Sequence, residues 1–227
     1  MPQAPSLRDH TFITDFYAMA AAPPVPSRST REEIVEAADQ LFYRQGFEHT
    51  SFAHIAETVG ISRGNFYYHF KTKDEILAAV IEARGLRTQA LLGTWEEEGA
   101  QPLERLRSFV RILLRNQADI LHYGCPVGTL NAELAKLGHA ATPGAMRLYQ
   151  LFREWLRRQF ETLGRGPDAD ALALHLLARS QGVAALAQAL RDEAFISREV
   201  GLMEAWLVQQ APPAAPASRR RRTAAQS

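Results

Sequence analysis

"GISRGNFYYHFKTKDE", residues Gly60–Glu75, sets three amphipathic rings side by side, Tyr67, Tyr68 and His69, between Arg63 and Lys71, with no acidic residue before Asp74. The stretch just before it, "HTSFAHIAETVG", opens at a Thr50/Ser51 cap, places Phe52, Ile55, Ala56 and Val59 on one face, and closes at Gly60, a residue suited to a left-handed turn. Ser62 then caps a further short helix. Two short helices joined by so brief a turn make a helix-turn-helix unit, whose second helix enters the major groove of DNA. On that second helix Phe66 and Phe70 lie about 40° apart and mark the inward face, which turns Tyr68 outward and leaves Tyr67 and His69 on the flanks. Polar-tipped rings in a row fill a core poorly. Displayed, they donate to phosphate oxygens and base edges and add apolar contact to thymine methyls.

Working outward, the pattern stays helical. "TREE" reads as a capping box of Thr30 with Glu33, followed by Ile34, Ala37, Ala38, Leu41 and Phe42 at three- and four-residue spacing and a stop at Gly46. "TKDE", Thr72 to Glu75, is a second box, opening a helix through Ile76, Leu77, Val80 and Ile81. Beyond Gly99 no alternating strand pattern is found. Pro102 opens a helix through Leu114, "GCPVG" is expected to break it, and a shorter apolar stretch runs to Leu137. Long helices are expected at 143–163, 168–191 and 197–209, parted by "GRGPD" and by the Phe195/Ile196 region. The fold expected is all-α: an N-terminal three-helix unit carrying the helix-turn-helix, and a larger C-terminal helical bundle. Residues 1–27 are expected to be a flexible arm in which "FITDFYAM" offers a turn or two of amphipathic helix, 28–88 the DNA-binding domain, 89–210 the bundle, and 211–227 a disordered tail with the basic run Arg219 to Arg222.

Composition narrows the function. A chain of 227 residues, 46% hydrophobic, buries a sizeable core, and its net charge of +1 means that any attraction to nucleic acid is local. Such a patch exists in Gly60 to Lys73, where Arg63, Lys71 and Lys73 meet no acid. No run of about 18 uncharged apolar residues occurs, and the opening "MPQAPSLRDH" lacks the pattern of a secretory signal, so no membrane partner and a cytoplasmic location are expected. The single cysteine, Cys125, excludes an intramolecular disulfide framework and a multi-cysteine zinc site. His49, His54 and His69 fall on separate helices without a carboxylate or thiol partner, so neither a metal nor another cofactor is implied.

The stretch from Ile34 to Glu82 resembles the DNA-binding domain of the TetR family of bacterial transcriptional regulators, through the Ala-x-x-Leu-Phe core, Gly46, Thr50/Ser51, Ile55-Ala56, Val59-Gly60, Gly64, Tyr67, His69-Phe70 and Lys73. The resemblance implies a homodimeric, all-helical repressor that leaves double-stranded operator DNA when a small-molecule effector binds the larger domain. It makes Ser62, Arg63, Gly64, Asn65, Tyr67, Tyr68 and His69 the recognition surface, with Arg63 and Asn65 as base readers, and gives Thr50, Ser51 and Lys73 phosphate contacts.

In the C-terminal half, "GCPVGTLNAEL" resembles a segment of a subset of these regulators. Trp95, Phe109, Leu113, Cys125, Met146, Tyr149, Phe152 and Trp155 are candidates to line an effector cavity, although apolar helical spacing serves an ordinary core equally well. "ARSQGVAALAQAL", rich in small residues, and "LMEAWLV" near the end are candidates for a two-fold interface, the alternative being packing within one chain. Two other readings centre on Cys125, three residues after His122: a thiol that senses oxidants or electrophiles, and a cysteine-dependent enzyme. No orienting acid or oxyanion motif supports the enzyme, so an enzyme is not expected.

Overall fold

A computed structural model describes residues 29–211, and every long regular element in them is an α-helix. In chain order these are α1 (Thr30–Gln45), α2 (Phe52–Val59), α3 (Arg63–His69), α4 (Lys73–Glu98), α5 (Pro102–Arg115), α6 (Gln117–Tyr123), α7 (Pro126–Lys136), α8 (Thr142–Thr162), α9 (Ala169–Leu190) and α10 (Glu193–Gln210), with one 3-10 turn at Gly166–Asp168. The all-α expectation holds. The N-terminal arm with "FITDFYAM", and the tail beyond Ala211 with its arginine run, lie outside the described residues.

Helix boundaries follow capping chemistry, with four corrections to the sequence reading. The first box is formed by Ser29 and Glu32, not Thr30 and Glu33: Ser29 Oγ accepts from Glu32 N–H, and the Glu32 carboxylate accepts from Ser29 N–H at 2.8 Å. At α4 Thr72 Oγ1 caps Glu75 N–H, yet the Glu75 carboxylate reaches past Thr72 to the Lys71 N–H at 2.7 Å. The helix opened by Pro102 breaks first at Asn116, whose buried side-chain amide donates to Ile112 O at 2.8 Å, so α6 intervenes before "GCPVG". Phe195 and Ile196 lie inside α10. The true break is one turn earlier, at Arg191 (φ 55°) and the Asp192 cap.

Two apolar cores result. One gathers Ile34, Ala38, Phe42, Ile55, Phe66, Phe70, Ile76, Leu77 and Val80 from α1–α4, and is completed by Leu130 and Leu134 of α7 and Ala145 of α8. The other is built from the second half of α4 with α5, α6 and α8–α10, around Trp95, Phe109, Phe152, Trp155 and Phe160. Helix α4, 26 residues and about 39 Å long, runs without interruption from one to the other. Residue 88, where the domain division was expected, falls inside it.

Between the cores lies a buried polar layer. Asp39 of α1 and Arg84 of α4 are 0% and 1% exposed and pair at 2.6 Å; Arg84 also donates to Pro126 O at 2.5 Å. Arg87 joins Asp39 and reaches Glu36 at 3.1 Å. Because removing one partner strands a buried charge, Asp39→Ala is expected to lower stability by about 3–5 kcal/mol, whereas Asp39→Leu combined with Arg84→Met should cost far less than the two single changes summed. Urea unfolding of the wild type, Asp39→Ala, Asp39→Leu, Arg84→Met and the double variant measures both.

Candidate nucleic-acid interface and effector cavity

Gly60 ends α2 in the left-handed region (φ 75°, ψ 29°), which lets its N–H and that of Ile61 both close on Ala56 O and swings the chain round within three residues. Ser62 then starts α3, its hydroxyl accepting from Asn65 N–H at 3.3 Å. Phe66 and Phe70 are each 1% exposed, and Phe52 of α2 packs on Phe66 with ring centroids 5.1 Å apart. That anchoring decides what α3 shows to solvent. Tyr68 is 79% exposed and Tyr67 47%; Ser62, Arg63, Gly64 and Asn65 are also exposed, while His69 is half-buried with its ring beside Tyr68. Lys71 is exposed and donates to Tyr67 O, leaving the surface of residues 60–73 basic and aromatic.

Two residues expected at the phosphates sit elsewhere. Thr50 is 1% exposed because its hydroxyl turns inward to Gly46 O at 2.7 Å and accepts from Gln45, so Ser51, the exposed cap of α2, is the member of that pair on the surface. Lys73 is half-buried: its ammonium donates to Phe47 O at 3.0 Å and Glu48 O at 3.4 Å and lies 4.2 Å from the Phe47 ring centre. It holds the α1–α2 turn through those two carbonyls.

In the larger half, a cavity of about 30 Å³ is lined by Phe109, Ile112, Leu113, Ile120, Cys125, Val127, Tyr149, Phe152, Leu177, Ser180 and Gln181. Phe109, Leu113, Cys125, Tyr149 and Phe152 of the expected set therefore converge. The other three do not: Trp95 and Trp155 pack against each other in the core, tilted with ring centroids 5.6 Å apart, and Met146 is half-exposed on α8. Ile112, Ile120, Val127, Leu177, Ser180 and Gln181 were missed; the last three belong to a helix whose small residues read as a contact face. Tyr149 donates to Gln181 Oε1 at 3.1 Å, and burial pushes its phenol up to about 12, with Cys125 adding to the effect, so it stays a neutral donor. Cys125 lies half-buried just before α7, while the exposed His122 ring bonds Ala118 O of its own helix at 2.8 Å. Among the described residues no hydrogen bond joins Cys125 to His122, so the thiol and base expected of a sensor or enzyme are not assembled.

A pair of short helices on a three-helix core, with the second presenting its polar-tipped rings, defines a helix-turn-helix protein. Residues 34–80 match the family described as bacterial regulatory proteins, tetR family, so this stretch is identified as a DNA-binding domain of that type. An uncharacterized HTH-type transcriptional regulator in the lacX 3' region of Lactococcus lactis subsp. lactis is 34% identical over 112 residues, covering 48% of this chain and 57% of that protein. The HTH-type transcriptional regulator TtgR of Pseudomonas putida is 33% identical over 109 residues, 44% of this chain and 52% of its own. The chain thus spans about half the length of the curated relatives it matches. Over greater length, the crystal structure of a TetR transcriptional regulator from Legionella pneumophila has a TM-score of 0.72 at 23% identity, covering 83% of this chain and 100% of that one, a likeness of fold.

The geometry separates Tyr68 from Lys73. Tyr68→Ala is expected to leave the melting temperature unchanged, whereas Lys73→Ala, which removes two hydrogen bonds and a cation–π contact, should destabilise the chain by about 1–2 kcal/mol. Thermal unfolding of the purified variants checks this.

Proposed function

We propose that the chain is a ligand-responsive, DNA-binding transcriptional regulator, a cytoplasmic repressor that releases an inverted-repeat operator when a small molecule enters the C-terminal bundle. What carries the reading is the surface of α3, where Tyr67 and Tyr68 are displayed beside Arg63 and Asn65 on a helix anchored by Phe66 and Phe70. Arg63 and Asn65 read base edges; Ser51, Ser62, Lys71 and the tyrosine hydroxyls position the helix on phosphates. Among the described residues no helix is long and apolar enough to cross a membrane.

A two-fold dimer is supported by α9 and α10. Both carry small and apolar residues on their outer faces as well as their inner ones: Leu174, Ala178, Gly182, Ala185, Leu186 and Leu190 on α9, and Gly201, Leu202, Ala205 and Val208 on α10, lie at least partly open to solvent. A Cβ at Gly182 or Gly201 meets nothing within 4 Å, so these faces admit a helix of a second copy, and two such pairs form a four-helix bundle.

The cavity supports an uncharged, largely apolar effector. No Asp, Glu, Lys, Arg or His lines it, so an ionised ligand would be buried unpaired, whereas Tyr149, Ser180 and Gln181 meet one hydroxyl or carbonyl group. At about 30 Å³ it has room for a water or two, and an effector enters by moving its walls. Linkage then requires operator and effector to weaken each other by the same factor.

Selection of bound duplexes from a random pool by the full chain is expected to recover an inverted repeat with half-sites about one helical turn apart. Recovery of no sequence would overturn the reading. Arg63→Ala should reduce the slope of log affinity against log salt by about one unit, and Gly182→Arg should yield a monomer that has lost operator binding. Light scattering and titrations at several salt concentrations read these out. In thermal-shift titrations phenol should stabilise the chain while benzoate and benzylamine, of the same ring size but charged, should not; equal effects of all three would rule out the effector chemistry.

A further inference from the structure

Helix α7 touches both halves of the molecule. At its start Cys125 and Val127 line the cavity, and further along Leu130 and Leu134 are buried in the N-terminal core. Between those last two stands Glu133, whose carboxylate crosses to the α1–α2 turn: Oε2 accepts from Phe47 N–H at 2.9 Å and Oε1 from Glu48 N–H at 3.0 Å. Gly46 permits the approach, because it holds φ at +90° and a Cβ there would stand 2.9 Å from Glu133 Oε1. A carboxylate accepting two consecutive backbone N–H groups forms a charge-assisted clamp, stronger than bonds between neutral groups. The same turn is gripped through its carbonyls by Lys73, and the Phe47 ring packs edge-on against His139 at 5.1 Å. Ser51 caps α2 three residues after Glu48, so the position of this turn sets that of α2 and, through Gly60, of α3.

We propose that Glu133 is the positioning residue through which the state of the cavity reaches the DNA-reading helices, an assignment that rests on the function proposed above. An occupant that displaces Cys125 and Val127 moves α7 as a rod of about 16 Å, and Glu133 carries that displacement to the Phe47 and Glu48 backbone, re-aiming α2 and α3. Neither Phe47 nor Glu48 lines the cavity.

Backbone hydrogen exchange of the full-length chain tests this without requiring a ligand. Gly128→Val stands in for an occupant, since a side chain at Gly128 meets Gln181 Oε1 at 2.6 Å, Tyr149 OH at 3.3 Å and Cys125 at 3.4 Å. In Glu133→Gln, where the amide presents a donor to one of the two N–H groups, exchange at Phe47 and Glu48 should rise roughly tenfold while α9 amides stay unchanged. Glu133→Asp, which keeps the charge but is one methylene shorter, should fall between and serves if Glu133→Gln does not fold. Gly128→Val should speed the same two amides when Glu133 is present and add little in the Glu133→Gln background, with operator affinity following the same order. Unchanged exchange in Glu133→Gln, or equal action of Gly128→Val in both backgrounds, would overturn the proposal. Failure of the wild type to retain any duplex would instead overturn the regulator reading, leaving the exchange comparison to decide the role of Glu133.

Discussion

The ion pair between Asp39 and Arg84 is the constraint on which the arrangement of the two cores depends. Both residues are almost completely removed from solvent, and a charge buried without its partner costs several kcal/mol, so α1 and α4 have one acceptable alignment at this level. Arg84 extends the constraint to α7 by donating to Pro126 O, and Arg87 ties Glu36 and Asp39 to the next turn of α4. Apolar packing above and below is non-directional and tolerates sliding by a residue or a turn. The polar layer does not. Its contribution lies less in net stability, since apolar replacements of such pairs are often neutral, than in selecting a single registration of the helices that span both halves.

Given that registration, the small N-terminal core acts as a mount. Phe66 and Phe70 are consumed by the interior, Lys73 is consumed by the α1–α2 turn, and the polar-tipped rings between them have no inward position left. The turn itself is held through its N–H groups by α7, through its carbonyls by α4, and through the Phe47 ring by His139 in the connection to α8. The helices that face DNA in the proposed function are therefore braced by the larger half of the molecule. The cavity is walled at one edge by the start of the same α7.

Much of this was legible in the residue order. The helix-turn-helix could be read from Ser51, Gly60 and Ser62, because caps and left-handed turns are local chemistry that acts within three or four residues. The outward direction of Tyr68 followed from the spacing of Phe66 and Phe70 alone. Where local signals competed, the reading slipped: Ser29 and Thr30 both precede a glutamate by three, and only the geometry of the entering chain selects Ser29. The break at Asn116 had no glycine or proline to mark it, and Thr50 and Ser51 are equivalent as sequence although one hydroxyl donates to a carbonyl in the buried turn and the other caps the His54 N–H at the surface.

What the sequence by itself determined is the class of fold, the helix-turn-helix, and the face that α3 turns to solvent, since each rests on periodicity or on motifs closed within a few residues. Tertiary structure alone decided that Asp39 meets Arg84 across 45 residues, that Glu133 grips a turn 85 residues away, and that Phe109, Tyr149 and Gln181 share one cavity while Met146 does not. The physical reason is the same in each case. A hydrogen bond or ion pair between distant segments leaves no periodic trace in either, and a residue that lines a void has the same spacing along its helix as one that fills the core.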